Sequence, residues 1–439
     1  MILGTNIKRI LNKDHWVFWM VFCVVVYFLM LKSPIKAKPF GDGDFHLESK
    51  AVASWLLGTG TYETVSISKA PGPVLFYAVP YTIAGSNATD ERLLLFARIW
   101  TLLLIMIFQL ILYNRMFKYY GGVSANTFLL LTFLIPLHFY YALGIWAEGM
   151  AYVAMLLILI GFTEHHAKRN WSIFLFIGLL LLAWARPNSL LTFPVLLILS
   201  FLPMIVNRIP QPWVLRRRVL VFGMVAASGL FLVKLLPNTR ITYYQSDYMA
   251  YVQHIGRFQY REETFDWRYW DASTRTGSMD FIAYEASGDS LRNHASQTGV
   301  PMRDVFSKWV ITDMLEHPFM VFKQFVIRVF TGHLLQSNSI NPERLNETND
   351  RKILVYWIGH ILINLINLLL IICFVFELKK NGLRTYWILL APIIALLVFH
   401  GLVYMEQRYL FPIRVIYLFL ASLFISRFLE KNLLHASKS

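Results

Sequence analysis

Apolar positions in this chain gather into long runs instead of the short alternations of a soluble fold. A helix needs about 20 apolar residues to cross a bilayer. On that rule ten runs read as spans: 16–31, 93–113, 123–141, 147–162, 173–184, 190–206, 219–236, 353–376, 387–404 and 410–428. Two shorter stretches follow the first run. Leu47, Ala51 and Trp55, with Val52 and Leu56, form an apolar stripe at helical spacing, which predicts a helix lying on the membrane surface. Residues 73–83 are apolar but short and are broken by Pro80. They are expected as a second interfacial or re-entrant piece, because a crossing there would invert every later segment.

From 237 to 351 the pattern changes to mixed charges with frequent Tyr, Trp, Ser and Gly. This predicts a folded external loop, not a disordered one. Within it, 305–315 and 319–330 read as two amphipathic helices hinged at Pro318. The expected organisation is a membrane module over 1–236 with a first external loop at 34–90, a loop domain over 237–351, and C-terminal spans over 352–439. The expected fold class is therefore an all-α polytopic membrane protein with roughly ten transmembrane helices, interfacial helices and an external loop domain.

Charge fixes the expected orientation. The formal net charge of +15 would suggest nucleic acid in a soluble protein. Here the basic residues fall in short loops, at Lys8, Arg9 and Lys13, at Arg115 and Lys118, at Lys168 and Arg169, at Arg216 to Arg218, and at Lys379 and Lys380. That distribution sets membrane topology. It places both termini inside, excludes nucleic acid as a partner and makes membrane lipids one. Composition agrees: 56% of residues are hydrophobic and 16% aromatic, with mean hydropathy +0.50. The two cysteines, Cys23 and Cys373, lie inside apolar runs, so neither a disulfide framework nor zinc spacing is present. No small-residue cleavage site follows the first run, which is expected to be a retained signal anchor.

Six residues stand out as candidate chemistry. Asp42 and Asp44, in Gly41-Asp42-Gly43-Asp44, lie where the chain leaves the bilayer on the outer face. A carboxylate at a low-dielectric boundary has its pKa raised toward that of a general base, and a pair can hold a divalent cation. The plain alternative is a Gly-Asp turn. Glu148 follows Ile145-Trp146-Ala147 at the outer end of two spans. It reads either as a second acid of the site or as a carboxylate favoured by a helix N-terminus. Lys69, Arg186 and Arg408 border apolar runs on the face that should be poor in basic residues. They suit phosphate binding, the alternative being snorkelling to lipid headgroups. His138 is expected to pack. Tyr243, Tyr244, Trp267 and Trp270 offer stacking surfaces for sugars or simply pack the loop.

Taken together, these motifs resemble the GT-C superfamily of multi-spanning glycosyltransferases that use polyprenyl-phosphate sugars, nearest to the protein O-mannosyltransferase and aminoarabinose transferase-like branch. The resemblance rests on Asp42-Gly43-Asp44, on the helix 51–57 followed by Gly58-Thr59-Gly60-Thr61-Tyr62, on Lys69-Ala70-Pro71-Gly72-Pro73, on 136–148, on Ala185-Arg186-Pro187 and on 406–412. It is looser from Pro237 onward. A glycine separates the two aspartates where the family often has an adjacent acidic pair, so the base is Asp42 or Asp44, with Asp44 favoured.

The resemblance implies an inverting transfer of a sugar from a polyprenyl-phosphate donor to an acceptor hydroxyl on a glycan, lipid or protein. Asp44 would be the base, Lys69, Arg186 and Arg408 would hold the donor phosphate, and Glu148 would place the acceptor or bind a cation. A divalent cation is possible and no other cofactor is implied. The expected setting is a bacterial inner membrane with the site facing the periplasm or cell exterior. Two other readings stand beside it: a polysaccharide polymerase or ligase centred on loop arginines such as Arg257, Arg261 and Arg268, and a lipid or sugar transporter.

Overall fold

A computed structural model describes residues 45–60, 70–134, 144–168, 172–207, 217, 219–228, 246–262, 278–333, 350–404 and 407–436. Every regular element among them is helical. In chain order they are α1 (His46–Leu56), α2 (Pro71–Ala84), α3 (Asp90–Tyr120), α4 (Gly122–Leu134), α5 (Ala147–Lys168) and α6 (Ile173–Ala185), then a 3₁₀ turn (Pro187–Leu191) and α7 (Thr192–Asn207). There follow α8 (Val219–Ser228), α9 (Ser246–Phe258), α10 (Met279–Thr298), α11 (Met302–Glu316), α12 (Pro318–His333), α13 (Asp350–Asn381), α14 (Leu383–Leu402) and α15 (Gln407–Ala436).

Among the described residues four helical segments are long and apolar enough to cross a membrane: Asp90–Tyr120, Ala147–His165, Thr385–Leu402 and Tyr409–Lys431. The described chain is all-helical, and these segments point to a membrane protein. The first expected span, 16–31, lies outside the described residues.

Burial explains why the spanning pattern is apolar all round. Helices α5 and α15 are buried along nearly their whole length and form the centre of the main core. Helix α3 packs on α5 with one face only. Its Ala97, Thr101, Ile105 and Leu112 are buried, while Leu95, Ile99, Leu103 and Ile107 are exposed at four-residue spacing. A helix apolar on its outer face as well as its inner one belongs in lipid. Polar contacts tie the bundle across helices, including Ser124 to Ser426 at 2.7 Å and Tyr113 donating to Asn126 at 3.0 Å.

The expected basic ends meet acids. Arg115, late in α3, pairs with Glu164, late in α5, at 2.9 Å, and the Ser172 hydroxyl before α6 donates to the same carboxylate. Glu377, fully buried near the end of α13, accepts from Arg427 of α15 at 2.8 Å, from Asn381 at 2.7 Å, and from the Tyr386 hydroxyl. A buried carboxylate needs such partners.

Helices α5 and α6 approach closely because of glycine. A Cβ on Gly161 would sit 2.4 Å from the Leu175 backbone nitrogen, and one on Gly178 would sit 2.7 Å from the Ala154 carbonyl oxygen. In membranes, small residues at helix contacts supply the packing that water supplies elsewhere. Gly161→Ala therefore lowers the thermal midpoint of the purified protein. Overpacking against backbone costs about 1–3 kcal/mol and exceeds the ~1 kcal/mol that alanine gains over glycine as a helix former. A raised midpoint would refute this packing.

Helix α1 orients in a way that the stripe alone left open. His46, Ser49, Val52 and Ala53 are buried, while Leu47, Trp55 and Leu56 are exposed. The face toward α2 mixes His46 and Ser49 with Val52 and Ala53, while Leu47, Trp55 and Leu56 point away from the protein. Helix α2 has 14 residues, about 21 Å at 1.5 Å per residue, short of the ~30 Å hydrocarbon core.

Between 237 and 351 the described chain forms α9 to α12, with the break between α11 and α12 at Pro318. Arg257 of α9 donates from Nε to Asp313 of α11 at 2.6 Å and from Nη1 to Gln324 of α12 at 2.6 Å, and Arg261 reaches the other Asp313 oxygen at 2.8 Å. His254 packs among Phe258, Tyr284, Phe306 and Trp309, with Ser287 Oγ 3.0 Å from its Nε2.

These contacts make the region acid-sensitive. Burial, then the charge of Arg292, against a smaller opposing effect of Asp313, pushes the His254 imidazole down from 6.5 to about 4. Between those values the unfolded chain binds a proton that the folded chain does not, so stability falls as pH falls through the window. Burial pushes the Asp313 carboxyl up, but hydrogen bonds and charge from Arg257 and Arg261 outweigh it and hold the carboxyl below its ordinary value. That contribution is also lost on acidification. Limited proteolysis of residues 246–316 is expected to speed up between pH 7 and pH 5, and His254→Gln is expected to flatten the dependence. Equal rates in the parent protein would contradict it.

Candidate functional site

The residues that position the site begin with a proline. In Ala185-Arg186-Pro187 the residue before proline is driven to an extended conformation, and Arg186 has φ −141° and ψ 99°. Helix α6 stops there, and the chain turns into the 3₁₀ segment. Opposite it, the turn Gly144-Ile145-Trp146 leads into α5. The buried Tyr77 hydroxyl of α2 lies 2.9 Å from the Gly144 carbonyl oxygen and 2.8 Å from that of Trp146, which pins this turn. Glu148 then falls in the first turn of α5, where the helix dipole favours a carboxylate.

The two ends meet in a buried ion pair. Arg186 Nη2 donates to Glu148 Oε1 at 2.5 Å, and both side chains are buried. The guanidinium also lies over the Tyr409 ring, 4.9 Å from its centroid, a distance at which a cation is attracted by the ring face. Tyr409 stacks in turn on His400 at 4.6 Å. The His400 Nδ1 lies 3.1 Å from the Tyr404 carbonyl oxygen and its Nε2 lies 2.9 Å from Asn188 Nδ2. A carbonyl only accepts and an amide nitrogen only donates, so the proton sits on Nδ1. The start of α5, the end of α6, the end of α14 and the start of α15 thus converge at one end of the bundle. Glu164 and, among the partners of Glu377, Tyr386 and Arg427 lie toward the other ends of α5, α14 and α15.

This arrangement brings together two of the six sequence candidates, Glu148 and Arg186, and binds them to each other. The acid and the cation had been expected in separate roles. Arg186 keeps one further donor: its Nε is buried with no hydrogen-bond partner among the described residues. A buried cationic N–H of this kind is suited to an anion. Arg408 lies at the start of α15, beside Tyr409 in sequence; its side chain is outside the described set. Asp42, Asp44 and Lys69 are likewise outside the described residues, as are His138, Tyr243, Tyr244, Trp267, Trp270 and Arg268. Their described neighbours in sequence, Phe45 after Asp44 and Ala70 after Lys69, are both buried in one apolar cluster with Ile145, against which Ala147 packs.

Loop arginines Arg257 and Arg261 share Asp313 and tie three helices together, as the fold requires. Among the described residues no three His, Cys, Asp or Glu side chains group to hold a metal ion. Sequence reading had singled out none of Asn188, Tyr409, His400 and Tyr77. The available signal for His400 was its place one helical turn before Tyr404 at the end of an apolar run. Comparison of the chain with protein-family models, with curated proteins and with solved structures finds no match.

Proposed function

We propose that the protein is a multi-pass glycosyltransferase of the GT-C type. It has roughly ten spans and an external loop domain over 237–351, and it sits in a bacterial inner membrane with its site on the outer face. It moves a sugar from a polyprenyl-phosphate donor to an acceptor hydroxyl with inversion. The observation that carries this reading is Arg186, held between Glu148 and Tyr409 with a buried donor to spare, at the bundle end shared with the start of α15.

In this reading the lipid tail lies against apolar helix faces and the donor phosphate meets Arg186, Lys69 and Arg408. Asp44 takes the proton of the acceptor hydroxyl. The acceptor oxygen forms its bond to the anomeric carbon from the side opposite the phosphate. The carbon–oxygen bond to phosphate breaks, and its electron pair leaves with the polyprenyl phosphate. Fixed cations stabilise that departing charge, and positive charge spreads over the sugar ring as in glycoside hydrolysis. Glu148 acts through Arg186, orienting the guanidinium. Any divalent cation would fall to Asp42 and Asp44, since Glu148 is already neutralised by Arg186.

The test is product analysis by mass spectrometry. Purified protein in nanodiscs is given labelled polyprenyl-phosphate sugars with glycan, lipid and peptide acceptors. A sugar-bearing acceptor together with free polyprenyl phosphate is the expected result. Intact donor with every acceptor, alongside its movement across a sealed vesicle, would replace this reading with a transporter.

A further inference from the structure

A run of exposed apolar side chains outside the spans belongs to α11 and α12. Along these two helices Ile311, Leu315, Phe319, Phe322, Val326 and Phe330 are exposed, with Leu315 at 76%, Phe319 at 90% and Phe322 at 67%. On α12 they recur at three- and four-residue spacing, forming one ridge. The opposite face of α12 is polar and buried: Gln324, Arg328 and Thr331, with Gly332. A soluble loop has the reverse arrangement, and so large an exposed apolar ridge marks a contact surface.

The buried face shows what lies alongside. Arg328 donates from Nη1 to the carbonyl oxygens of Gly401 at 3.1 Å and Leu402 at 3.0 Å, at the end of a spanning helix. Arg414 of α15 donates to the Gly332 carbonyl oxygen at 2.9 Å. The His333 ring lies 3.0 Å from the Tyr417 hydroxyl, and Asn367 of α13 donates to the His333 carbonyl oxygen at 2.5 Å. Tyr417 is about 12 Å along the axis from Tyr409, where that span begins, at ~1.5 Å per residue. Asn367 lies near the middle of α13. The C-terminal end of α12 therefore sits at the depth of the hydrocarbon. On α13, which meets α12 through that Asn367 contact, Ile361, Leu365, Leu368 and Ile372 are exposed as well.

We infer that α11 and α12 form a membrane-embedded hairpin, the occupant of its apolar ridge being bilayer phospholipid. Phe330 and Val326 meet acyl chains, and Phe322, Phe319 and Leu315 lie toward the headgroup boundary, as the apolar face of an interfacial helix does. The hairpin ties the external loop domain into the membrane surface. Through Asp313 and Gln324 it anchors α9, whose Gly256 abuts the Val403 carbonyl oxygen beside Tyr404 and His400. This inference depends on the membrane setting alone and not on sugar transfer.

Two measurements test it. The unaltered protein in nanodiscs containing a diazirine-bearing phosphatidylcholine is irradiated and its peptides mapped; adducts are expected over residues 311–330. Separately, Cys23→Ala/Cys373→Ala protein carries one new cysteine by Phe319→Cys, Phe322→Cys or Phe330→Cys, with Glu316→Cys and the exposed Gln297→Cys on α10 as controls, each labelled with an environment-sensitive dye. The three ridge positions are expected to emit to the blue and to be quenched severalfold more by doxyl-labelled lipid than by aqueous iodide, and Gln297→Cys the reverse. Iodide quenching equal at ridge and control positions, with no adducts over 311–330, would overturn the inference. So would efficient disulfide formation between copies at Phe319→Cys, which would assign the ridge to a second copy of the chain.

Discussion

Asp44→Asn is expected to lower the turnover number for sugar transfer by about 10²–10⁴-fold, the usual contribution of a positioned general base, while leaving donor affinity within a small factor. Asparagine keeps the size and the hydrogen-bonding reach of the side chain but cannot accept the acceptor proton. In the proposed mechanism the donor phosphate would meet cations, so its binding would not depend on that proton. Asp42→Asn is the control and is expected to keep most of the activity. Single-turnover assays of the two variants, with donor binding measured separately, check both statements. An inactive Asp42→Asn beside an active Asp44→Asn would move the base by two residues. Full activity in both would remove the acidic run from the chemistry.

The second large effect concerns the buried pair. Arg186→Ala leaves the Glu148 carboxylate buried without its counter-charge, which costs about 3–5 kcal/mol. A marked fall in thermal midpoint follows, with loss of activity. Glu148→Gln strands the guanidinium instead and is also costly. The double variant Glu148→Gln/Arg186→Gln is expected to be more stable than the sum of the two singles implies, with a coupling on the order of 0.5–3 kcal/mol. Arg186→Lys restores the charge but neither the planar fork nor the stacking on Tyr409, so it should recover stability better than donor KM. Additive single effects would mean that the pair is incidental to the fold.

Some of this architecture was legible in the sequence because single residues carry the signal. The end of α6 follows from Pro187, the break between α11 and α12 from Pro318, and the short α2 from the length of its apolar run. Which end of a helix Glu148 or Arg186 occupies followed from the run of apolar and basic segments. Partnership did not, since the two residues are 38 positions apart and either charge is compatible with many neighbours. The same holds for Arg257 and Asp313, 56 positions apart. As a loop arginine, Arg257 fitted a polymerase or ligase reading. In the fold it holds α9 against α11 and α12, so Arg257→Ala tests folding before it tests chemistry. The α1 stripe left its neighbours open. Leu47, Trp55 and Leu56 are exposed, the arrangement of a helix on a membrane surface, while His46 and Ser49 are buried together with Val52 of the same stripe and Ala53. Periodicity reports a face, and the solvent decides which way it points.

A single in-line displacement at the anomeric carbon is read from the anomeric configuration of the product, by NMR after transfer from a polyprenyl-phosphate sugar labelled with carbon-13 at that carbon. Complete inversion relative to the donor is the expected result. A product of retained configuration, or label that stays on the lipid carrier in the presence of every acceptor class, would contradict it.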